Sequence, residues 1–348
     1  MSRARPSAAA SPFAWTTAVQ VTLVLGATLC LLYFLMRGIR HMADASIDQM
    51  PEAETFANPT PPIEDVDEAT LATYTQVRKR THAGIYDPFY ARTYRELVDN
   101  HRTKALGFEI QDLQARTQLA EYGRKAVILD MGCGTGSHVR RLAQAKPAWM
   151  VYGLDQSRAM LDVAQSRLKK HRRKTRLIRG DFEDPDAFDA NTFTHITCYY
   201  FSIYYAKQPA TVFANAHKWL KPGGYLCVHV VDPERFDPVL DAANPLVGIS
   251  LQKYMQPGER RTHSKVYFTN FVYKSDFAYD PKTRTGTFTE VFTHPKKQRV
   301  RTHTHTLSMV PHNTLIGKVR KAGFKLKHVT KLFEIGDEYE YLCYFQKT

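Results

Sequence analysis

The sequence predicts an α/β chain: a doubly wound, mostly parallel seven-stranded sheet, an antiparallel β insert after strand 5, and an apolar N-terminal helix before them. Three observations carry this reading. From Val127 onward, apolar runs of strand length alternate with helix-periodic segments, which implies parallel strands joined by crossover helices. A Gly-rich turn, Gly132 to Gly136, follows the first run, where such sheets open a ligand crevice. About 80 residues between Pro233 and Pro311 read as strands separated by turn residues.

The bulk numbers agree with a folded globular domain. The 348 residues are 43% hydrophobic and 24% charged, which excludes a disordered or fibrous chain. Net charge is +14, but Arg40 to Arg78 encloses eight acidic residues and no Lys or Arg. The remainder is correspondingly more basic, a surface that favours anionic partners such as nucleic acid or anionic lipid. The five cysteines, Cys30, Cys133, Cys198, Cys227 and Cys343, form neither a disulfide framework nor a zinc spacing. A reducing compartment, cytosol or organelle interior, is the expectation.

Taken in order, residues 1–12 are a short polar N-terminus, and residues 13–36 carry no charge. As a helix the latter would be about 36 Å long, enough to cross a hydrocarbon core of about 30 Å. Trp15 and Tyr33 suit the two interfaces, so the expectation is a single-pass transmembrane helix. A cleaved leader ending at Ala43-Asp44-Ala45 is the rival, but its apolar core would be shorter. Residues 37–70, acidic and containing Pro51, Pro59, Pro61 and Pro62, read as a linker to a domain over 71–348.

Within that domain, Tyr86 to Thr117 reads as one or two helices. Strands are expected at Val127–Met131, Met150–Leu154, Arg176–Arg179, Thr194–Tyr199 and Tyr225–Val231, the last after Lys221-Pro222-Gly223-Gly224. A helix covers Ser137–Gln144, and another opens at Gln156 and Ser157 with Met160, Leu161, Val163, Ala164 and Leu168 at helical spacing. Asn313 can cap a helix that stops at Gly323, before strands at Phe324–Val329 and Glu338–Gln346. In the insert, VYFTNFVYKSDFAY, TFTEVFT and RVRTHTHTLSMV read as three strands.

The densest chemistry lies in VILDMGCGTGSH, Val127 to His138. Its glycines are spaced G-x-G-x-G, so a dinucleotide G-x-G-x-x-G would need glycine at Ser137. Asp130 would oppose a pyrophosphate by about 4 kcal/mol at about 4 Å and an effective dielectric of 20, and would favour an ammonium by a similar gross amount. Asp155 ends the next strand, where a carboxylate can accept from ribose hydroxyls. Asp181 and Phe182 follow the third strand, available to an adenine amino group and ring. Singly, each glycine is an ordinary turn and each Asp a helix cap; in this order they read as a ligand site.

On LDMGCGTG, YGLDQSRAML, GDF, LKPGG and KAGF, the chain from about Tyr86 to Thr348 resembles the class I S-adenosylmethionine-dependent methyltransferases. It is most similar to the broad small-molecule group with a β insert after strand five. The resemblance implies a Rossmann-like fold and S-adenosylmethionine as cofactor. It also implies a cofactor site of Asp130, Gly132, Gly134, Gly136, Asp155, Asp181 and Phe182, with Gln156 and Met160 flanking the adenosine. Cys133 and Tyr199 complete the expected set.

On the substrate side, Tyr86, Tyr90, Tyr200, Ser202, Tyr205 and Asp232 are candidates, with Tyr94 continuing the helical spacing of Tyr86 and Tyr90. His229 and Tyr204 are the candidate catalytic groups, against the plain alternative of core packing. His303 and His305 share a strand face with no third ligand evident, so no metal is expected. The Asn/Asp-Pro-Pro-aromatic motif of DNA-base amine methyltransferases and the paired glutamates of protein arginine methyltransferases are both missing after strand four. The run KKHRRKTRLIR, Lys169 to Arg179, suits either phosphates or a solvated helix end. The reading is a membrane-anchored S-adenosylmethionine-dependent methyltransferase acting on a small-molecule or lipid-proximal acceptor. The alternatives are an RNA or protein methyltransferase and a non-catalytic scaffold on the same fold.

Overall fold

The computed structural model describes residues 68–99, 102–145, 149–238, 262–268 and 270–348. A short helix α1 (Glu68–Ala72) leads into strand β1 (Thr75–Thr81), helix α2 (Pro88–Tyr94), a π-helical turn (Arg95–Asp99) and helix α3 (Thr103–Thr117). Alternation then begins with β2 (Val127–Met131), α4 (Ser137–Gln144), β3 (Met150–Asp155), α5 (Arg158–Arg167) and β4 (Thr175–Arg179). It continues through β5 (Phe193–Cys198), α6 (Pro209–Trp219) and β6 (Leu220–Val231). The insert supplies β7 (His263–Tyr267), β8 (Val272–Asp280), β9 (Thr285–His294) and β10 (Arg299–Ser308), and α7 (His312–Lys321), β11 (Phe324–Lys331) and β12 (Glu340–Lys347) close the chain.

Seven strands form the main sheet in the order β11-β12-β6-β5-β2-β3-β4. The pairs β2–β3, β2–β5, β3–β4 and β5–β6 are parallel, while β12 lies antiparallel between β6 and β11. Both faces of this sheet are covered, which is why β2 reads as a nearly continuous apolar run and every residue of β5 is buried. On one face Phe193, Phe213, Trp219 and Leu226 pack in the larger core; on the other Ile128, Val139, Leu142 and Trp149 pack with Ile110 and Leu113 of α3. The strand order reverses at β2, with β5 on one side and β3 on the other, so the turn after β2 faces the crevice.

The insert differs from the expectation in two ways. VYFTNFVYKSDFAY is two strands, because the chain turns back between Tyr267 and Val272, closed by Phe268 N–H donating to Phe271 O at 2.9 Å. Strand β1, whose sequence TQVRKRT lacks apolar alternation, joins β10 in parallel and makes a five-stranded sheet β1-β10-β9-β8-β7. Helix α7 starts at His312 with Pro311 in the cap position, so Asn313 lies inside its first turn rather than capping it.

The single-pass membrane localisation expected from residues 13–36 is corrected. No helix among the described residues is long and apolar enough to cross a membrane, and the 13–36 segment lies outside those residues.

Gly153 on β3 shows how closely the sheet approaches the Gly-rich turn. A Cβ there would lie 2.8 Å from Cys133 Sγ and 3.0 Å from both Leu177 and Val139. Gly153→Val should therefore lower the unfolding free energy by about 1–3 kcal/mol through overpacking. Urea unfolding measures this, and an unchanged midpoint would show that the turn relaxes freely.

Candidate active site

The turn after β2 is built from three left-handed glycines, Gly132 (φ 70°), Gly134 (φ 52°) and Gly136 (φ 77°), a conformation that L side chains resist. Their surroundings differ. A Cβ on Gly132 would meet Ser202 Oγ at 2.6 Å, and one on Gly136 would meet Ala164 Cβ at 3.0 Å, so these two serve packing. A Cβ on Gly134 would meet nothing within 4 Å, so this glycine faces open space. Asp155 ties the turn to β3: one carboxylate oxygen accepts from Gly134 N–H and the other from Ser157 N–H, each at 2.8 Å. Ser157 caps α5 by accepting from Met160 N–H, and its hydroxyl donates to Tyr86 O at 2.6 Å. Burial raises Asp155 from its ordinary value, while the two backbone hydrogen bonds act in the opposite direction.

Above the turn lies a cavity of ≈ 1450 Å³. Its floor is the carboxyl end of the sheet, with Gly132, Gly134, Asp155, Gln156, Met160, Asp181, Phe182, Tyr200, Ser202, Tyr204 and Tyr205 among the wall residues. Tyr86 and Tyr90 form a side, and Tyr273, Phe277, Glu290 and His305 of the insert complete the enclosure. Most of the expected cofactor residues and five of the six substrate candidates therefore converge. Asp181 also shapes its own loop by accepting from Glu183 N–H at 2.8 Å.

Other expected residues are placed differently. Asp130 does not line the cavity, so its expected ion pair with a ligand ammonium is corrected. It shares the sheet face of Ile128 and accepts a hydrogen bond from Thr197 Oγ1 at 2.9 Å. Burial pushes it up to about 6, against the charge of nearby His138. Beneath the turn, buried Glu109 accepts from Arg102 at 2.6 Å and pairs with His138 at 2.8 Å. Burial opposes its charge, but Arg102 and His138 hold it below the usual carboxylate range. Arg102 in turn lies 4.2 Å over the ring of Tyr200, so this charged layer supports the cavity wall from below. Cys133 is buried against β3, Gly136 packs on α5, and Tyr199 stacks on His138 with ring centroids 4.3 Å apart. Asp232 pairs with Arg235 at 2.6 Å, outside the cavity lining.

Neither candidate catalytic group has a hydroxyl or ring nitrogen available to a ligand. Tyr204 Oη accepts from Val231 N–H at 2.8 Å, so its hydroxyl holds the end of β6 while its ring lines the cavity. His229 is fully buried, with Nε2 2.8 Å from Glu340 Oε2 and Nδ1 accepting from Tyr200 N–H at 3.3 Å. It positions Tyr200 and Phe201, consecutive residues in left-handed backbone (φ 44° and 63°), the kind of local strain that collects at functional sites.

The insert brings together a group that the sequence reading missed. His303 and His305 do have a third neighbour, Glu290, which stands opposite His303 in the β9–β10 register. Glu290 Oε2 lies 2.8 Å from His305 Nε2 and 3.5 Å from His303 Nδ1, while Oε1 accepts from Tyr273 at 2.9 Å and Tyr90 at 3.1 Å. Tyr205 Oη lies 2.8 Å from His305 Nδ1. Arg301 donates from Nε to His303 Nε2 at 2.6 Å and from Nη2 to Asp87 at 2.6 Å. The alternation of β10 puts both histidines on one face, but only the strand register reveals Glu290.

Residues 128–224 match the family described as "Methyltransferase domain". By sequence, that stretch is a methyltransferase domain. Among curated relatives, a malonyl-[acyl-carrier protein] O-methyltransferase of Halalkalibacterium halodurans is 25% identical over 144 residues, 41% of this chain and 53% of its own length. A demethylmenaquinone methyltransferase of Geobacillus is 34% identical over 114 residues, 32% of this chain and 47% of its own length. The chain thus spans about half the length of these relatives. In fold, this chain is similar to an S-adenosylmethionine-dependent methyltransferase from Clostridium acetobutylicum (TM-score 0.55, 14% identity, 74% of this chain and 98% of that one). It is also similar to a SAM-bound amino pentose methyltransferase from Micromonospora echinaspora (TM-score 0.52, 23% identity, 77% and 100%). S-adenosylmethionine is the expected cofactor. Open space over Gly134 and a carboxylate with unused lone pairs at Asp155 fit such a group.

Burial raises Glu340 from 4.5 to about 8 and lowers its partner His229 to about 4, so the pair is uncharged at neutral pH. The folded state thus holds a proton that the unfolded chain releases. This contribution to stability is present in full below about 4.5 and is lost as pH rises through about 8. Glu340→Gln, neutral throughout, should flatten the fall in stability across that window in urea titrations. An identical slope in the variant would show that Glu340 does not carry the buried proton.

Proposed function

We propose that this chain transfers the methyl group of S-adenosylmethionine to a small-molecule acceptor held between the Gly134 turn and the β insert. The observation that carries the reading is the single cavity that joins an open glycine cradle and Asp155 to an aromatic far wall. At ≈ 1450 Å³ it exceeds the roughly 300–1,000 Å³ of a one-ligand site, leaving room for cofactor and acceptor together. Two names fit a small-molecule acceptor, the demethylmenaquinone methyltransferase among the relatives and the amino pentose methyltransferase among the solved structures.

When bound, the cofactor supplies a methyl carbon on a sulfonium. The residues of this chain bind and orient it. Gly134 lets the backbone approach, Asp155 offers lone pairs to ribose hydroxyls, Asp181 and Phe182 stand at the adenine end, and Met160 packs beneath. Tyr86, Tyr200 and Phe201 exclude water from the reacting atoms, and alignment of this kind contributes about 7–11 kcal/mol in well-oriented systems.

Calorimetry on the full chain with S-adenosylmethionine should show binding that Gly134→Val abolishes by filling the open space. Asp155→Ala should weaken it about 10- to 100-fold, the loss of charge-assisted hydrogen bonds. If the unmutated chain takes up no S-adenosylmethionine, the proposed function is wrong.

A further inference from the structure

Resting on that methyl-transfer reading, we propose that Tyr205, backed by His305 and Glu290, removes the proton of the methyl acceptor. The acceptor is accordingly a small protic nucleophile, a hydroxyl or a neutral amine that bears an N–H.

The hydrogen-bond pattern fixes the direction of proton flow. Glu290 receives hydroxyl protons from Tyr90 and Tyr273 on Oε1, and His305 Nε2 reaches its Oε2 at 2.8 Å. A carboxylate can only accept, so His305 carries its proton on Nε2 and turns the lone pair of Nδ1 toward Tyr205. Tyr205 Oη, 2.8 Å away, then donates to Nδ1 and keeps a lone pair on the cavity side. Hydroxyl, imidazole and buried carboxylate in this order form the arrangement by which a base is held in the right tautomer and its imidazolium is stabilised. Tyr86 packs edge-on against Tyr205 from the segment that enters α2, ring centroids 6.0 Å apart.

Charge supports the same direction. Burial works against Glu290, but the neighbouring imidazoles of His303 and His305 hold it at about 2, so it is ionised. Arg301 is matched by Asp87 at 2.6 Å, which leaves the Glu290 carboxylate as the unmatched charge at His305. A proton arriving on His305 neutralises that charge instead of burying a new one.

Glu290, His303 and His305 also offer the donor types of a metal site. Arg301 argues against that use. Its Nε donates to His303 Nε2, which leaves the ring proton on Nδ1, the nitrogen that faces Glu290. A nitrogen bearing a proton has no lone pair for a cation. The cluster is therefore a hydrogen-bonded relay.

In the reaction, the acceptor's lone pair forms the new bond to the methyl carbon as the sulfur–methyl bond breaks and leaves its electron pair on sulfur. The acceptor's proton passes to Tyr205 Oη, and Tyr205's own proton passes to His305 Nδ1. His305 becomes an imidazolium paired with Glu290. Tyr205 touches the acceptor; His305 and Glu290 act through it.

The test uses the full chain, Tyr205→Phe and Glu290→Gln, with three readouts. Tyr86, Tyr90, Tyr205, Tyr273, Glu290 and His303 face His305 from the packed elements, so its titration is read in each protein. Nitrogen-15 NMR should place the His305 proton on Nε2 in the wild type; a proton on Nδ1, or Zn²⁺ bound at these side chains, overturns the relay. Calorimetry with S-adenosylmethionine should be unchanged in both variants. Transfer of labelled methyl from S-adenosylmethionine into the small-molecule fraction of a cell extract should fall about 100-fold or more at pH 7 in Tyr205→Phe. The deficit should shrink at higher pH as acceptors ionise unaided. A deficit that is the same at every pH, full activity in Tyr205→Phe, or cofactor binding without any wild-type transfer overturns the relay. Absence of cofactor binding by the wild type instead overturns the methyl-transfer reading on which it rests.

Discussion

One carboxylate organises the site. Asp155 sits at the end of β3 and accepts from Gly134 N–H with one oxygen and from Ser157 N–H with the other. The first contact fixes the turn after β2; the second fixes the start of α5. Ser157 then reaches the backbone of Tyr86, so the segment entering α2 is tied to the same point. Charge-assisted hydrogen bonds of this kind contribute about 1.5–3 kcal/mol each when desolvated. The turn, the helix start and the aromatic side wall are positioned together because they share this partner.

A second anchor holds the insert over the site. Asp87 caps α2 by accepting from Phe89 and Tyr90 N–H, and its other oxygen takes Arg301 from β10. Arg301 lies over the ring of Phe89 at 4.4 Å and donates to His303. Hydrogen bonding to Arg301 keeps Asp87 below its ordinary value, although burial acts the other way. The five-stranded sheet therefore meets the main domain through a polar seam in which Arg301 joins Asp87 to His303.

Much of this was legible in the sequence. Six of the seven main-sheet strands could be read within two residues, whereas β6 starts at Leu220, five residues before the expected Tyr225, and runs through the expected Lys221-Pro222-Gly223-Gly224 turn. The three glycines and Asp155, grouped by their spacing, do meet in one turn, through Gly134 N–H and the Asp155 carboxylate. Position within a strand was harder. Asp130 and His229 read as site residues because they lie near strand ends, but each points into a packed face and is used there. The Tyr204 hydroxyl is consumed by the backbone of Val231. Glu290 was invisible because its role depends on the register of β9 against β10, which periodicity does not encode. Strand β1 escaped because a charged edge strand carries no apolar alternation.

The central claim is that the Asp155–Gly134 clasp is a cradle for the sulfonium cofactor and its ribose. A crystal structure of the full chain with S-adenosylhomocysteine tests it most directly. The account predicts ribose hydroxyls within about 3 Å of the Asp155 carboxylate and ligand atoms over Gly134, filling the open space there. Ligand density elsewhere, with Gly134 uncovered and Asp155 bonded only to its two backbone amides, would contradict it.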